Sequence, residues 1–210
     1  MLVDAGITGK RSNKCYAVFT KYITDDFTSG KRSLPLTMEP SDYVSECWKR
    51  YQRSPESRTA SGGPNNSLNG TMFEIIIMTL LYREGVLPFY ANASVTFVPN
   101  VEYDIMLYSN SNEIHSLSIK TSSRERYKQA DLEALALKSV HRTAKQYYLT
   151  LDRGEAESIK KKIRAKEVMY IDKVILANEK EMNVFIKSLK KKKYTQAGTM
   201  PIMNGAVVKK

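Results

Sequence analysis

The sequence predicts one α/β domain over residues 1–210, a central mixed β-sheet flanked by helices. Three observations predict it. Residues 101–108 and 114–120 alternate apolar and polar side chains and read as a β-hairpin. Strand-like and helix-periodic segments follow one another from residue 93 onward, with no internal repeat. The chain of 210 residues, 42% hydrophobic and 26% charged, is long and apolar enough to bury a core of its own.

Residues 1–35 read as irregular, with turn clusters at Thr24-Asp25-Asp26 and Ser29-Gly30-Lys31. A helix is expected over about 40–53. Ser41 is its candidate N-cap, and Val44, Cys47, Trp48 and Tyr51 share one face. Residues 54–70 are rich in Ser, Gly, Pro and Asn and read as a long polar loop. A helix follows from Thr71 to about Arg83, ended by Gly85. Residues 93–98 form a strand closed by Pro99-Asn100, and the hairpin comes next. Thr121-Ser122-Ser123 reads as a loop with a capping serine, before a helix over about 124–145. Strands are expected at 146–151, 168–171 and 174–176, and helices at about 155–166 and 179–190. In the tail from Tyr194, residues 205–208 can add an edge strand.

The hairpin has a definite register. If Ser109 pairs with Glu113 around a three-residue loop, Ile105 faces Leu117 and Asp104 faces Ser118. One face is then apolar, with Tyr103, Ile105, Leu107, Leu117 and Ile119. The other carries Glu102, Asp104, Ser118 and Lys120. A slip of one residue buries the charges, so the pattern itself selects this register. An acid, a hydroxyl and an amine on one face suit phosphodiester chemistry. Carboxylates and a phosphate can share a Mg²⁺ ion, and a lysine can hold the attacking water or the developing charge.

The formal net charge of +11, with a pI near 9.5, favours a polyanionic partner. Part of the excess lies in Lys160-Lys161-Lys162 and Lys190-Lys191-Lys192-Lys193, runs that also suit plain solvated faces. Cys15, Cys47, His115 and His141 are too few and too scattered for a zinc finger or a disulfide framework, and they fit a reducing cytoplasm. The longest apolar run, residues 75–81, is too short to span a bilayer, and no signal pattern opens the chain.

The order helix with Glu74, strand with Asp104, strand ending in Lys120, then helix resembles the PD-(D/E)XK nuclease superfamily, whose best-known members are type II restriction endonucleases. The resemblance covers about residues 69–152. It implies a restriction-endonuclease-like fold with that stretch as catalytic core, an N-terminal arm and loop at 1–68, and a C-terminal αβ part at 153–210. Asp104 matches the first acid, preceded by Tyr103 where the family has proline. Lys120 matches the lysine, and Ser118 stands in place of the second acid. NgoMIV-type restriction enzymes are similar in carrying Ser-x-Lys, and there a glutamate from the next helix supplies the lost charge. The resemblance therefore implies Glu133, with Glu125 as the alternative. Residues 121–132 separate Glu133 from Lys120, and it falls one turn after Gln129. Glu125 would sit in a first turn, where the helix dipole alone favours an acid.

Catalytic residues implied are Asp104, Lys120, Glu133 and Glu74, with Asp104 and Glu133 on Mg²⁺. Glu74 lies inside a strongly apolar helix, where an unpaired carboxylate is costly, so a salt bridge to a core cation is its alternative role. Arg124, Arg126, Tyr127 and Lys128 open the helix after Lys120 and are candidate DNA contacts, as is Arg58 in the polar loop. His115 falls on the core-facing register, and neither histidine is expected to be catalytic. The expected partner is double-stranded DNA, bound by a homodimer or homotetramer because a palindrome mirrors a two-fold axis. The competing readings are a repair or junction-resolving nuclease, and a basic nucleic-acid-binding protein without catalysis.

Overall fold

A computed structural model describes residues 10–24, 37–121, 126–196 and 203–209. In chain order it contains α1 (Lys10–Phe19), α2 (Pro40–Gln52), α3 (Asn66–Arg83), β1 (Phe89–Val95), β2 (Val98–Tyr108) and β3 (Ile114–Lys120). There follow α4 (Arg126–Val140), β4 (Lys145–Thr150), α5 (Arg153–Arg164), β5 (Lys173–Leu176), α6 (Lys180–Lys190) and β6 (Met203–Val208). The predicted α/β class holds. One six-stranded mixed sheet runs β5-β4-β3-β2-β1-β6, parallel between β3, β4 and β5 and antiparallel elsewhere.

The hairpin register is the expected one. Ile105 stands opposite Leu117, and Ser109 N–H donates to the Glu113 carbonyl across the loop (2.9 Å). Asn112 takes a positive φ of 59° there, a conformation asparagine tolerates. Four of the five residues expected on the apolar face go to the main core, whereas Tyr103 packs in the smaller cluster with Met106 and Leu137. Ile105, Leu107, Leu117 and Ile119 pack in the main core with α2, α3 and α6. The opposite face is not left to solvent, as the alternation alone would have it. Two smaller clusters cover it, joining Met106 to Leu137 of α4 and Tyr148 to Ala130 of α4 and Ile159 of α5. A half-polar strand pattern therefore marks a buried polar site here, not an exposed sheet surface.

Several boundaries move. Residues 10–24 are helical, α1 running into a π-helical turn at Thr20–Thr24, because Cys15, Phe19 and Ile23 recur every four residues and are buried in the main core. The remaining turn residues, Asp25, Asp26 and 29–31, lie outside the described residues. Helix α2 is opened by Pro40 at its first position, with Glu39 as cap residue; the Ser41 backbone N–H donates instead to Asn183 Oδ1 (2.7 Å). The polar loop is shorter than expected and folded. Asn65 caps α3, its side chain accepting from Leu68 N–H, so the helix starts five residues early. The segment 93–98 is not one strand, since Thr96-Phe97 make the turn between β1 and β2, with Phe97 at φ 67°. Helix α4 stops at Val140 because the chain must reverse over 141–144 to enter β4. Residues 168–171 form no strand. The Asp131 carboxylate accepts the N–H groups of Tyr170 (2.7 Å) and Ile171 (3.0 Å), in place of a ladder. Residues 205–208 do fall in the edge strand β6, antiparallel to β1.

Leu117 is fully buried at the centre of the sheet, so Leu117→Ala should cost about 3 kcal/mol and lower Tm by about 10 °C. Leu132, 65% exposed on α4, should change stability by less than about 0.5 kcal/mol when cut to alanine. Thermal melts of the two variants check the ranking.

Candidate active site

Asp104 and Lys120 meet as the hairpin predicts. The Lys120 ammonium donates to Asp104 Oδ2 at 2.8 Å, and each side chain is 17% exposed. The same oxygen accepts the Ile119 backbone N–H at 2.6 Å. The carboxylate thus takes over a backbone donor at the point where the β2–β3 ladder ends at Ile105 and Leu117. The lysine closes β3 beside Thr150, the last residue of β4.

Two further carboxylates lie within the field of this pair. Glu74, eight residues into α3, makes no ion pair with a described residue, so the salt-bridge role expected as its alternative is not seen among them. Burial, seconded by the charge of Asp104, pushes its carboxyl up to about 8; Lys120 and Arg126 pull the other way. Glu133 reaches the same neighbourhood from α4. Burial raises its pKa, Lys120 and a hydrogen bond from Gln129 Nε2 (2.7 Å) oppose the rise, and Asp104 adds to it. The Tyr103 hydroxyl donates to the Glu133 carbonyl (3.0 Å) and ties α4 to β2 one residue from Asp104. Burial and the charge of Asp104 thus raise both glutamates, and the positive charge of Lys120 opposes the rise in each.

Ser118 lies deeper than its neighbours, 2% exposed, and its hydroxyl accepts from Gln146 Nε2 on β4 (2.8 Å). The β2–β3 pairing stops at Ile105 and Leu117, one step short of the expected Asp104 and Ser118 pair, and Ser118 is a buried structural contact. Gln129 stands one turn before Glu133 in the sequence, and that i, i+4 spacing is a usable signal, whereas nothing local marks Gln146 as the partner of a serine on another strand.

Among the DNA-contact candidates, Arg126 and Lys128 are exposed at the start of α4. Tyr127 is half-buried against the α4–α5 cluster, with the Lys162 ammonium 5.8 Å from its ring centre. Arg58 is exposed but bonds its own loop through the Gly62 carbonyl (3.3 Å). Arg124 and Glu125 lie outside the described residues. His115 is 1% exposed in the sheet, and burial lowers its pKa to about 4; His141 is half-buried and also lowered.

Comparison with protein-family models, with curated proteins and with solved structures finds no match to this chain. The site must be judged on its own chemistry. Among the described residues no group of three or more His, Cys, Asp or Glu side chains is placed to hold a metal ion. Mg²⁺ does not need such a cage, because it binds one or two carboxylates and completes its shell with water and phosphate oxygens. Carboxylate oxygens such as those of Asp104 and Glu133 are the donor type that ion takes.

Proposed function

We propose that this chain is a Mg²⁺-dependent endonuclease that hydrolyses phosphodiester bonds of double-stranded DNA as a site-specific type II restriction enzyme. The observation that carries the reading is the electrostatic imbalance at the end of the hairpin. Asp104 is paired with Lys120, and burial with repulsion from Asp104 raises the pKa of both Glu74 and Glu133. A protein core gains nothing from such a cluster, whereas a bound divalent cation relieves it. The PD-(D/E)XK resemblance supports the same roles.

Asp104 and Glu133 would hold the ion. Mg²⁺ bound there would polarise the phosphate and acidify a water molecule. Lys120 turns its ammonium from Asp104 to a phosphate oxygen or to the attacking water. Glu74, protonated below about pH 8, can release its proton within the site and so serve as an acid. Arg126 and Lys128 contact flanking phosphates, and Arg124, Tyr127 and Arg58 are further contacts in this reading. A homodimer or homotetramer would match a palindromic site. Two free, buried cysteines agree with a reducing cytoplasm. No helix among the described residues is long and apolar enough to cross a membrane.

Incubating plasmid DNA with the wild-type protein and Mg²⁺ tests the proposal. Discrete fragments are expected. Cutting confined to branched or mismatched DNA would point to a repair nuclease, and no cutting at all would leave a basic nucleic-acid-binding protein. Within the nuclease reading, Glu133→Ala should lower cleavage by about 10²–10³-fold while duplex binding in Ca²⁺ persists. If Glu125→Ala does this and Glu133→Ala cuts normally, the displaced acid is Glu125.

A further inference from the structure

We propose that the C-terminal end of α6 and the segment after it form a second phosphate-binding surface, taking the phosphodiester backbone of nucleic acid at the end of the sheet opposite the candidate active site. The proposal deepens the nucleic-acid reading above and rests on it.

Lys187, Lys190, Lys191, Lys192 and Lys193 are all exposed. Lysines in a last helical turn are explained by the helix dipole alone, which accounts for Lys187 and Lys190. It does not account for the three that follow. Those are not on a loose tail. Asn110 N–H donates to the Lys193 carbonyl (3.0 Å), and Thr195 N–H donates to the Tyr108 carbonyl (2.9 Å). The segment is thereby fastened to the β2–β3 turn, which fixes where its ammonium groups stand.

Two clefts meet there, sharing Glu84 and Lys190, which are ion-paired at 2.9 Å. One, of about 400 Å³, is lined by Lys190, Lys192, Lys193, Asn110 and Tyr194. The other, of about 690 Å³, is lined by Lys187, Lys190 and Lys191 beside Glu39. The acids on hand are Glu39, Glu84 and Glu113. Glu84 also binds Arg83 (2.7 Å), and Glu113 binds Lys192. Six cations against three carboxylates leave a positive surface. Lys187, Lys191 and Lys193 make no ion pair with a described residue.

Position separates this surface from the catalytic end. It adjoins the β2–β3 turn, whereas Lys120 closes β3. The six steps from Ile114 to Lys120 span about 20 Å of strand. A phosphate chain bound at Asp104 and Lys120 therefore needs a separate stretch of backbone, or a second duplex, to reach the lysines.

The test measures the affinity of a 30-bp duplex in Ca²⁺ across a KCl series for three proteins. They are wild type, K187Q/K191Q/K193Q, and the control K161Q/K166Q/K180Q, which removes equal charge from exposed lysines elsewhere. The first triple variant should bind at least about tenfold more weakly at 0.1 M salt, with a log–log salt slope shallower by about 2–3. Plasmid cleavage at saturating protein should stay at the wild-type rate. The control should match wild type in slope. Equal slopes for wild type and K187Q/K191Q/K193Q, or an equal loss in the control, would overturn the second surface while leaving the nuclease reading intact. Wild-type protein that binds the duplex with the predicted slope difference yet never cuts supports the surface and removes the nuclease. Binding stoichiometry with a 12-bp duplex, two per protein or one, tells whether a second duplex or the same one occupies it.

Discussion

Asp104→Asn should lower plasmid cleavage by about 10³-fold or more, with the fold retained. The substitution keeps shape and removes charge. An asparagine oxygen can still accept the Ile119 N–H that Asp104 Oδ2 accepts at 2.6 Å, so the end of the ladder is preserved. What goes is the negative partner of Lys120 and, in the proposed mechanism, half of the carboxylate charge on the metal ion. Loss of about 10³-fold corresponds to about 4 kcal/mol of transition-state stabilisation, a reasonable toll for one group that holds a catalytic ion. Stability should fall less, by about 1–3 kcal/mol, because Lys120 keeps some contact with water. Cleavage kinetics paired with urea unfolding separate the two effects. A variant that cuts at the wild-type rate would reduce Asp104 to a structural anchor for Lys120 and Ile119.

Glu74→Gln should show the opposite balance, stabilising the fold as it removes activity. The Glu74 carboxyl has an ordinary value of 4.5 and is pushed to about 8 in the fold, first by burial and then by Asp104. Between these two values the folded protein holds a proton that the unfolded chain releases. Stability therefore falls as pH rises from about 4.5 to about 8, at up to about 1.4 kcal/mol per pH unit, and levels off above. At pH 7 the accumulated cost is roughly 3 kcal/mol. Glutamine does not titrate, and its desolvated amide costs about 1–3 kcal/mol at every pH. The variant should thus gain about 1–3 kcal/mol at pH 8, be no more stable than wild type near pH 4.5, and cut DNA about 10²-fold more slowly. Urea unfolding at pH 5 and pH 8 reads the difference in slope. An unchanged pH slope in Glu74→Gln would mean that the carboxylate is not held as described. Mg²⁺ at pH 8 should raise the Tm of the wild type more than that of Glu74→Gln, since the ion relieves a repulsion that the variant lacks.

How far such a site can be read without a structure depends on the range of the interactions that build it. Asp104 and Lys120 were legible because strand periodicity and a short loop fix who faces whom across a hairpin, and the register followed from burying Ile105 and Leu117. Glu133 was reachable through helix spacing and the family resemblance. The early start of α3 was missed although Asn65 is an ordinary cap, because a Ser, Gly, Pro and Asn composition resembles loop over so short a window. Residues 168–171 have a strand's composition, yet Asp131, from a helix some forty residues back, claims their backbone donors. No local pattern contains that contact.

Side-chain periodicity over a few residues suffices for the α/β class, the order of most elements, the hairpin register and the acid–lysine pair. Long-range packing sets the rest: α4 and α5 roof the polar face of the hairpin, Ser118 is sealed against Gln146, and Glu74 and Glu133 share the field of Asp104 and Lys120. Burial, desolvation and repulsion between groups distant in the chain depend on how the helices dock, and docking is set by the whole core.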